Sequence, residues 1–335
     1  MPKVSIIIPT YNTGKFLNET MESIWQQSCQ DFEIIVVDDC STDNTQEIIQ
    51  SFTDDRIRAI FLEQNSGTPS IPRNVGVANS TGEYIVLFDS DDIMMPEKLE
   101  RSLKAIKGYD NIGLLFTNSM RVNEFGEIID DNLLGGSEVF ARLPKTRLDD
   151  NFFKIEAKQV HGALYSANWI GGPSSCVIPK RILEDIGNFD ASLCYAEDRD
   201  LFFRISSKYD FGYLNFIGHK YRKRKDSQVG QIDTKWHLFA ESLKRTVAKQ
   251  LQNEHDTEAI KAGKKLIAEC YNGIGYYYQS RIMLRESRVY YLKSIRYNFN
   301  LSSLKGILKT SIPPELYKII KNAKDKLREG SLAEK

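Results

Sequence analysis

Three carboxylates fall within four residues, Asp89, Asp91 and Asp92, directly behind the apolar run Tyr84-Ile85-Val86-Leu87-Phe88. A short β-rich apolar run after a glycine turn is the pattern of a strand buried on both faces, and open α/β sheets bind ligands beyond the carboxyl ends of their strands. Clustered negative charge repels itself unless a cation is present, and hard oxygen donors suit Mg²⁺ or Mn²⁺ carrying a diphosphate. The same acids have a plainer use, in which Asp89 caps a turn and Asp91 or Asp92 caps a helix beginning near Pro96. A second apolar run, Phe32 to Val37, also ends in acids, Asp38 and Asp39. One carboxylate there can accept hydrogen bonds from a ribose or base while the later acids hold the metal. Tyr11, on the turn after the first apolar run, offers a base its ring or hydroxyl, or else packs on the sheet.

The elements that must carry these residues alternate in type. Lys3 to Ile8 reads as a buried strand stopped by Pro9, and Phe16, Leu17, Met21, Ile24 and Trp25 recur at helical spacing after it. Phe32 to Val37 is the second strand, Thr45–Phe52 a helix behind the cap-type run Ser41-Thr42-Asp43-Asn44, and Ile57 to Leu62 the third strand. A helix opened by Pro72 as its first residue leads to the acid-tipped strand, followed by a helix over Lys98–Lys107 and a strand over Ile112–Asn118. This alternation predicts βαβ units and a mostly parallel central sheet flanked by helices. From about Arg121 to Tyr165 the pattern weakens to a β-ribbon near Asn123–Glu127 and a long irregular segment, which suits a binding loop or lid. Order returns with a short strand at Cys176–Ile178, a helix near Lys180–Ile186, an apolar helical face immediately after Glu197-Asp198, and a strand at Tyr213–Ile217. From Leu238 onward the period is helical throughout, near Leu238–Leu251, Glu258–Gln279, Glu286–Tyr297 and Glu315–Arg328. The expectation is therefore a catalytic domain over 1–230 and an α-helical C-terminal region over 231–335.

Bulk properties exclude several classes. A formal net charge of zero gives no whole-molecule attraction to nucleic acid. The tail from Arg281 to Lys335 nevertheless carries thirteen Lys or Arg against five acids. Its mixed aromatics and cations, Tyr276 to Tyr278, Arg281, Arg285, Arg288, Tyr290, Tyr291, Lys293 and Arg296, fit either anionic lipid headgroups or a helical hairpin with a solvated basic face. Five cysteines and four histidines form no zinc spacing, and an odd number of cysteines favours reduced thiols. The first apolar run is too short for a signal peptide, and none reaches the roughly 18 residues of a membrane span. A cytoplasmic protein is expected, peripheral at most on the inner face of the cell membrane.

Four ordered motifs extend this reading: Ser5-Ile6-Ile7-Ile8-Pro9-Thr10-Tyr11-Asn12, Val36-Val37-Asp38-Asp39 with Cys40 to Thr45, Arg73-Asn74-Val75-Gly76, and Phe88-Asp89-Ser90-Asp91-Asp92. Together they resemble the family 2 glycosyltransferases with the GT-A fold, over about residues 1–225. The resemblance implies that Pro9, Tyr11, Asp39, Arg73 and Ser90 form the nucleotide site and that Asp89-Ser90-Asp91 is the DxD motif, with Asp91 and Asp89 on Mn²⁺ or Mg²⁺. It makes Asp198, in the acidic pair with Glu197, the base of a single inverting displacement. Such a reaction needs one base on the acceptor hydroxyl, while the metal neutralises charge on the departing diphosphate. Alternatively, Glu197 and Asp198 merely open a helix.

Asn168-Trp169, Gly171-Gly172 and Glu197 would fall on the acceptor side, with Trp169 alternatively packing the core, and Arg222 and Lys223 are candidates to cover the diphosphate. The stretch Tyr221-Arg222-Lys223-Arg224-Lys225 departs from the family's loop, which often carries a His there. The implied partners are a nucleoside-diphosphate sugar, most simply a UDP-sugar, and a saccharide or lipid-linked acceptor of bacterial cell-surface polysaccharide assembly. Two other readings compete, a nonenzymatic nucleotide-sugar binding module and a phosphohydrolase with DxD after a strand. The phosphohydrolase wants Thr or Val two positions past the second Asp, where this chain has Ile93. No GxGxxG follows the first strand, which disfavours dinucleotide chemistry.

Overall fold

A computed structural model of the chain describes residues 2–227, 230 and 232–322. It divides into two compact units, Met1–Gln231 and Ile232–Lys335. The first begins with β1 (Val4–Thr10), α1 (Gly14–Trp25), β2 (Phe32–Asp38), α2 (Thr45–Ser51), β3 (Ile57–Phe61), α3 (Ser70–Asn79) and β4 (Tyr84–Leu87). These strands lie in the order β3-β2-β1-β4, all parallel, with Ile6 beside both Ile34 and Val86. Ile6, Ile7 and Ile8 are all fully buried because helices cover both faces. Leu17, Met21 and Ile24 of α1 pack with Ile6, Ile8, Ile34 and Val36 on one face. On the other, Gly76 lets α3 approach so closely that a Cβ there would come within 2.3 Å of the Ile7 side chain.

Beyond β4 the sheet becomes mixed. There follow β5 (Ile93–Met94), α4 (Lys98–Ile106), β6 (Ile112–Val122), β7 (Ile128–Asp130), α5 (Glu138–Arg142), β8 (Thr146–Asp149), β9 (Phe152–Ile155) and α6 (Ala157–Leu164). A 3-10 turn (Pro173–Ser175), β10 (Cys176–Pro179), α7 (Lys180–Ile186), α8 (Glu197–Ser206) and β11 (Asp210–Arg222) complete the unit. β10 runs antiparallel between β4 and β6, β11 lies parallel to β6, and β9 and β8 add antiparallel strands at the edge. The segment expected to be irregular after Arg121 is thus several short elements. Pieces of three to eight residues are too brief to show a hydrophobic period.

Three boundaries differ from expectation for local reasons. β1 does not stop at Pro9 but runs to Thr10. Ile7 gives its carbonyl to Phe88 on the β4 side, and alternate residues face the same side, so the nitrogen of Pro9 faces β4 beyond their last paired residues, Ile7 and Leu87. A missing donor removes no ladder bond there. α3 begins at Ser70 with Pro69 at its cap, and Pro72 sits one place short of the first turn's end, where its absent N–H would have had no helical partner. The late strand expected at Tyr213–Ile217 is instead β11, thirteen residues long, carrying the basic run to the end of the sheet.

The second unit contains α9 (Ile232–Leu251), α10 (Thr257–Ser280), α11 (Leu284–Tyr297) and α12 (Leu301–Thr310). α12 was not legible as a separate helix, and the end of the segment expected over Glu315–Arg328 lies outside the described residues. Asp256 caps α10 by accepting from the backbone N–H groups of Glu258 and Ala259. Tyr291 of α11 is buried against Gly275 of α10 and donates to Gln279 Oε1 at 2.5 Å. Among the described residues no helix is long and apolar enough to cross a membrane.

Candidate active site

β1 and β4 are parallel neighbours, yet the chain leaves β1 toward β2 on one side and reaches β4 on the other. Loops that depart in opposite directions leave a crevice between the strand ends. Tyr11 stands on the β1 side, 47% exposed, and the acids after β4 stand opposite. Asn12 holds the first loop to the second by accepting the backbone N–H of Thr42 at 2.8 Å, and it adopts φ 52°, which a short amide tolerates. The first acidic pair is committed to this scaffold. Asp38 accepts from Thr10 Oγ1, the Ser41 backbone and Gln46 Nε2. Asp39 is 4% exposed and accepts both the backbone N–H and the hydroxyl of Ser66 at 2.9 Å, shaping the loop before α3.

At the tip of β4 three arginines meet the carboxylates. Arg73 of α3 is buried and forms charge-assisted bonds from Nη2 to Asp89 Oδ1 at 2.8 Å and from Nη1 to Glu197 Oε1 at 2.7 Å. Those two acids raise its pKa against the effect of burial. Arg224 Nε lies 3.0 Å from Asp91 Oδ2. Arg222 gives its backbone N–H to Asp92 Oδ1 at 3.0 Å and its side chain to the Asp91 carbonyl and to Glu19. Burial pushes Asp91 up to about 6 despite Arg224, with Asp89 adding to the rise. Asp92, deeper still, is held well above the carboxylate range by burial and by Asp91 and Asp89, and its Oδ2 has no hydrogen-bond partner among the described residues. Burial first, and then the acids' mutual repulsion, hold Asp91 and Asp92 above the ordinary carboxylate range even with the arginines in place.

The opposite wall is the first turn of α8. Ala196, in the left-handed region at φ 56°, turns the chain so that Glu197 and Asp198 open the helix. Glu197 points inward to Arg73, and burial, helped by Asp198, raises it to about 7. Asp198 is half-buried and accepts Asn168 Nδ2 at 2.8 Å. Six residues past Asn168, the hydroxyl of Ser174 accepts the backbone N–H of Asp89 at 3.0 Å. Gly171 and Gly172, at φ 84° and 88°, supply the left-handed turn between those two residues. Fully buried Lys98 donates to the Ser174 carbonyl, and burial lowers it to about 8. One segment, 168–175, therefore touches both the β4 acids and Asp198.

The sequence reading is corrected at three places. Trp169 is 4% exposed, stacked on Phe140 and edge-on to Phe116, so it packs the core rather than presenting an indole face to a sugar. Glu197 is the buried partner of Arg73 and does not line an acceptor side. Arg222 is buried with its donors engaged, which leaves it no free face for a diphosphate, whereas Lys223 is exposed. Pro9 is half-buried at the crevice, and Ser90 is buried with its carbonyl accepting Thr20 Oγ1. Ser174 and Lys98 were missed, Arg224 was not singled out, and Asn168 was placed on the acceptor side without its bond to Asp198. Arg224 was visible only as one of a basic run, and Asn168, Ser174 and Lys98 acquire their contacts from residues 30 to 85 positions away in sequence.

A mixed sheet with an acid-lined crevice between β1 and β4 defines a GT-A-type fold. Residues 5–163 match the family described as Glycosyl transferase family 2. An uncharacterized glycosyltransferase of Rickettsia prowazekii is 32% identical over 213 residues, 62% of this chain and 61% of its own length. The poly(ribitol-phosphate) beta-N-acetylglucosaminyltransferase TarS of Staphylococcus aureus is 32% identical over 183 residues, 50% of this chain and 32% of TarS. The crystal structure of TarS 1–349 in complex with UDP-GlcNAc has a TM-score of 0.60 and 20% identity, covering 94% of this chain and 91% of that one. The chain thus spans about three fifths of the Rickettsia relative and about a third of TarS.

Proposed function

We propose that this protein transfers a sugar from a nucleoside-diphosphate sugar, most simply a UDP-sugar, to a saccharide or lipid-linked acceptor of bacterial surface polysaccharide, with inversion. The observation that carries the reading is Arg73, which ties Asp89 at the tip of β4 to Glu197 at the start of α8. It brings the acids of the two walls to one guanidinium and leaves Asp198, beside Glu197, half-buried. Tyr11, Pro9 and Ser90 would border the nucleoside, with Asp39 acting through the Ser66 loop. Asp89 and Asp91 would hold Mn²⁺ or Mg²⁺. The donors fit, being hard oxygens in a cluster whose burial has already raised Asp91. The ion would supply positive charge to the leaving diphosphate. Asp198, oriented by Asn168, would accept the acceptor hydroxyl's proton, and Lys223 and Arg224 would lie nearest the phosphates. No second carboxylate is needed as nucleophile. A nonenzymatic module would have no use for a carboxylate oriented as Asp198 is.

The test is titration calorimetry with UDP, with and without Mn²⁺, on the wild type and Asp91→Ala. Metal-dependent binding that disappears in Asp91→Ala is expected. Failure of UDP and then of every other nucleoside diphosphate to bind would overturn the nucleotide-sugar reading.

A further inference from the structure

A helix packed on a soluble protein normally turns its apolar stripe inward, and α12 does the reverse. Its buried residues are Ser303, Gly306 and Thr310. Ser303 Oγ lies 2.8 Å from Ser294 Oγ and 2.9 Å from Asn272 Oδ1. Gly306 sits so close to the Tyr291 ring that a Cβ would come within 2.4 Å. The leucines are left outside. Leu301 and Leu308 are each 64% exposed and Leu304 37%, and Phe299 just ahead of the helix is 64% exposed. Leu301, Leu304 and Leu308 recur at helical spacing on one side, with exposed Lys305 and Lys309 along its border and no acid anywhere in the helix.

Of the cations and aromatics that the sequence put forward for lipid contact, some engage their own bundle, while Tyr276, Arg285, Lys293 and Arg296 stay exposed. Arg281 stacks on Tyr277, Tyr291 is buried, and Arg288 donates to the Thr310 carbonyl.

We propose that this outer face of α12 docks on an anionic lipid bilayer. Leucines bordered by lysines can enter the boundary between headgroups and acyl chains while the ammonium groups stay at phosphate level. Each lysine near an anionic surface adds attraction that salt weakens. A second copy of the chain suits the face less well, because a two-fold contact would set Lys305 and Lys309 near their own twins with no acid of α12 to answer them.

The full chain is sedimented with vesicles of phosphatidylcholine alone and of phosphatidylcholine mixed with phosphatidylglycerol, and its mass is followed against concentration. Binding to the anionic vesicles is expected, weakened roughly tenfold or more by Leu304→Ser with Leu308→Ser. Lys305→Glu with Lys309→Glu should remove the preference for anionic lipid. All four positions are exposed, so circular dichroism of both variants should match the wild type. Failure of the wild type to bind the anionic vesicles, or equal binding by the leucine variant, overturns the proposal. A wild-type dimer abolished by the leucine variant also overturns it, since a second copy would then cover the face. No donor or acceptor enters the assay, so its outcome is independent of the transferase reading.

Discussion

Glu197→Gln separates the two acids at the start of α8. Burial raises Glu197 from 4.5 to about 7, and a shift of that size corresponds to about 3 kcal/mol disfavouring the ionised form in the fold. The folded pKa lies above the unfolded one, so the native chain holds the extra proton between those values. The stability this proton confers is fully present below pH 4.5 and is lost as the pH rises through about 7. Glutamine cannot ionise, yet it keeps an oxygen for Arg73 Nη1. The variant should therefore gain about 3 kcal/mol relative to the wild type between pH about 5 and 8. Urea unfolding followed by tryptophan emission measures this in a Trp236→Phe background, which leaves Trp25 and Trp169 to report the first unit alone. Sugar transfer by the variant should remain within about tenfold of wild type, while Asp198→Asn should lose on the order of 10²-fold or more. A stability difference that stays flat with pH would refute the burial argument. A loss of transfer equal to that of Asp198→Asn would make Glu197 the base instead.

Two further substitutions probe neighbouring residues. Trp169→Ala should destabilise the first unit by about 3–5 kcal/mol, as for other buried aromatic truncations, and leave UDP affinity within about threefold once the sample is folded; denaturant melts and calorimetry decide it. Asn168→Ala removes the side-chain bond to Asp198, so kcat should fall about tenfold or more while the dissociation constant for UDP is unchanged. Equal losses in both quantities would assign Asn168 to donor binding.

The parallel half of the sheet was legible because each strand is a continuous apolar run and each helix a clean amphipathic period, as Ile6 to Ile8 and Phe16 to Ile24 illustrate. The ribbon expected near Asn123–Glu127 is the turn between β6 and β7, whereas β5, β8 and β9 escaped notice because two to four residues carry no period. At the site, residue types pointed to the acid cluster, but the direction of each side chain did not follow from sequence. Trp169 and Asn168 are adjacent, and only the packing of Phe116 and Phe140 shows that the tryptophan faces the core. Arg222 and Arg224 are two apart on the same basic run. Strand β11 ends at Arg222, which is built into the loop of Asp91 and Asp92, while Arg224 pairs with the Asp91 carboxylate. The leucines of α12 fall in none of the helical segments expected from the sequence, and a hydrophobic pattern would in any case give a face and not its direction.

Pro9 has a use that its place in β1 makes plain. Two parallel strands side by side tend to keep pairing for as long as each residue has a donor to offer, and β1 and β4 would extend their ladder into the space between their ends. Proline withdraws the next donor on that side. The gap between the strands therefore stands ready before any guest arrives, and a guest entering it has no backbone bonds to break.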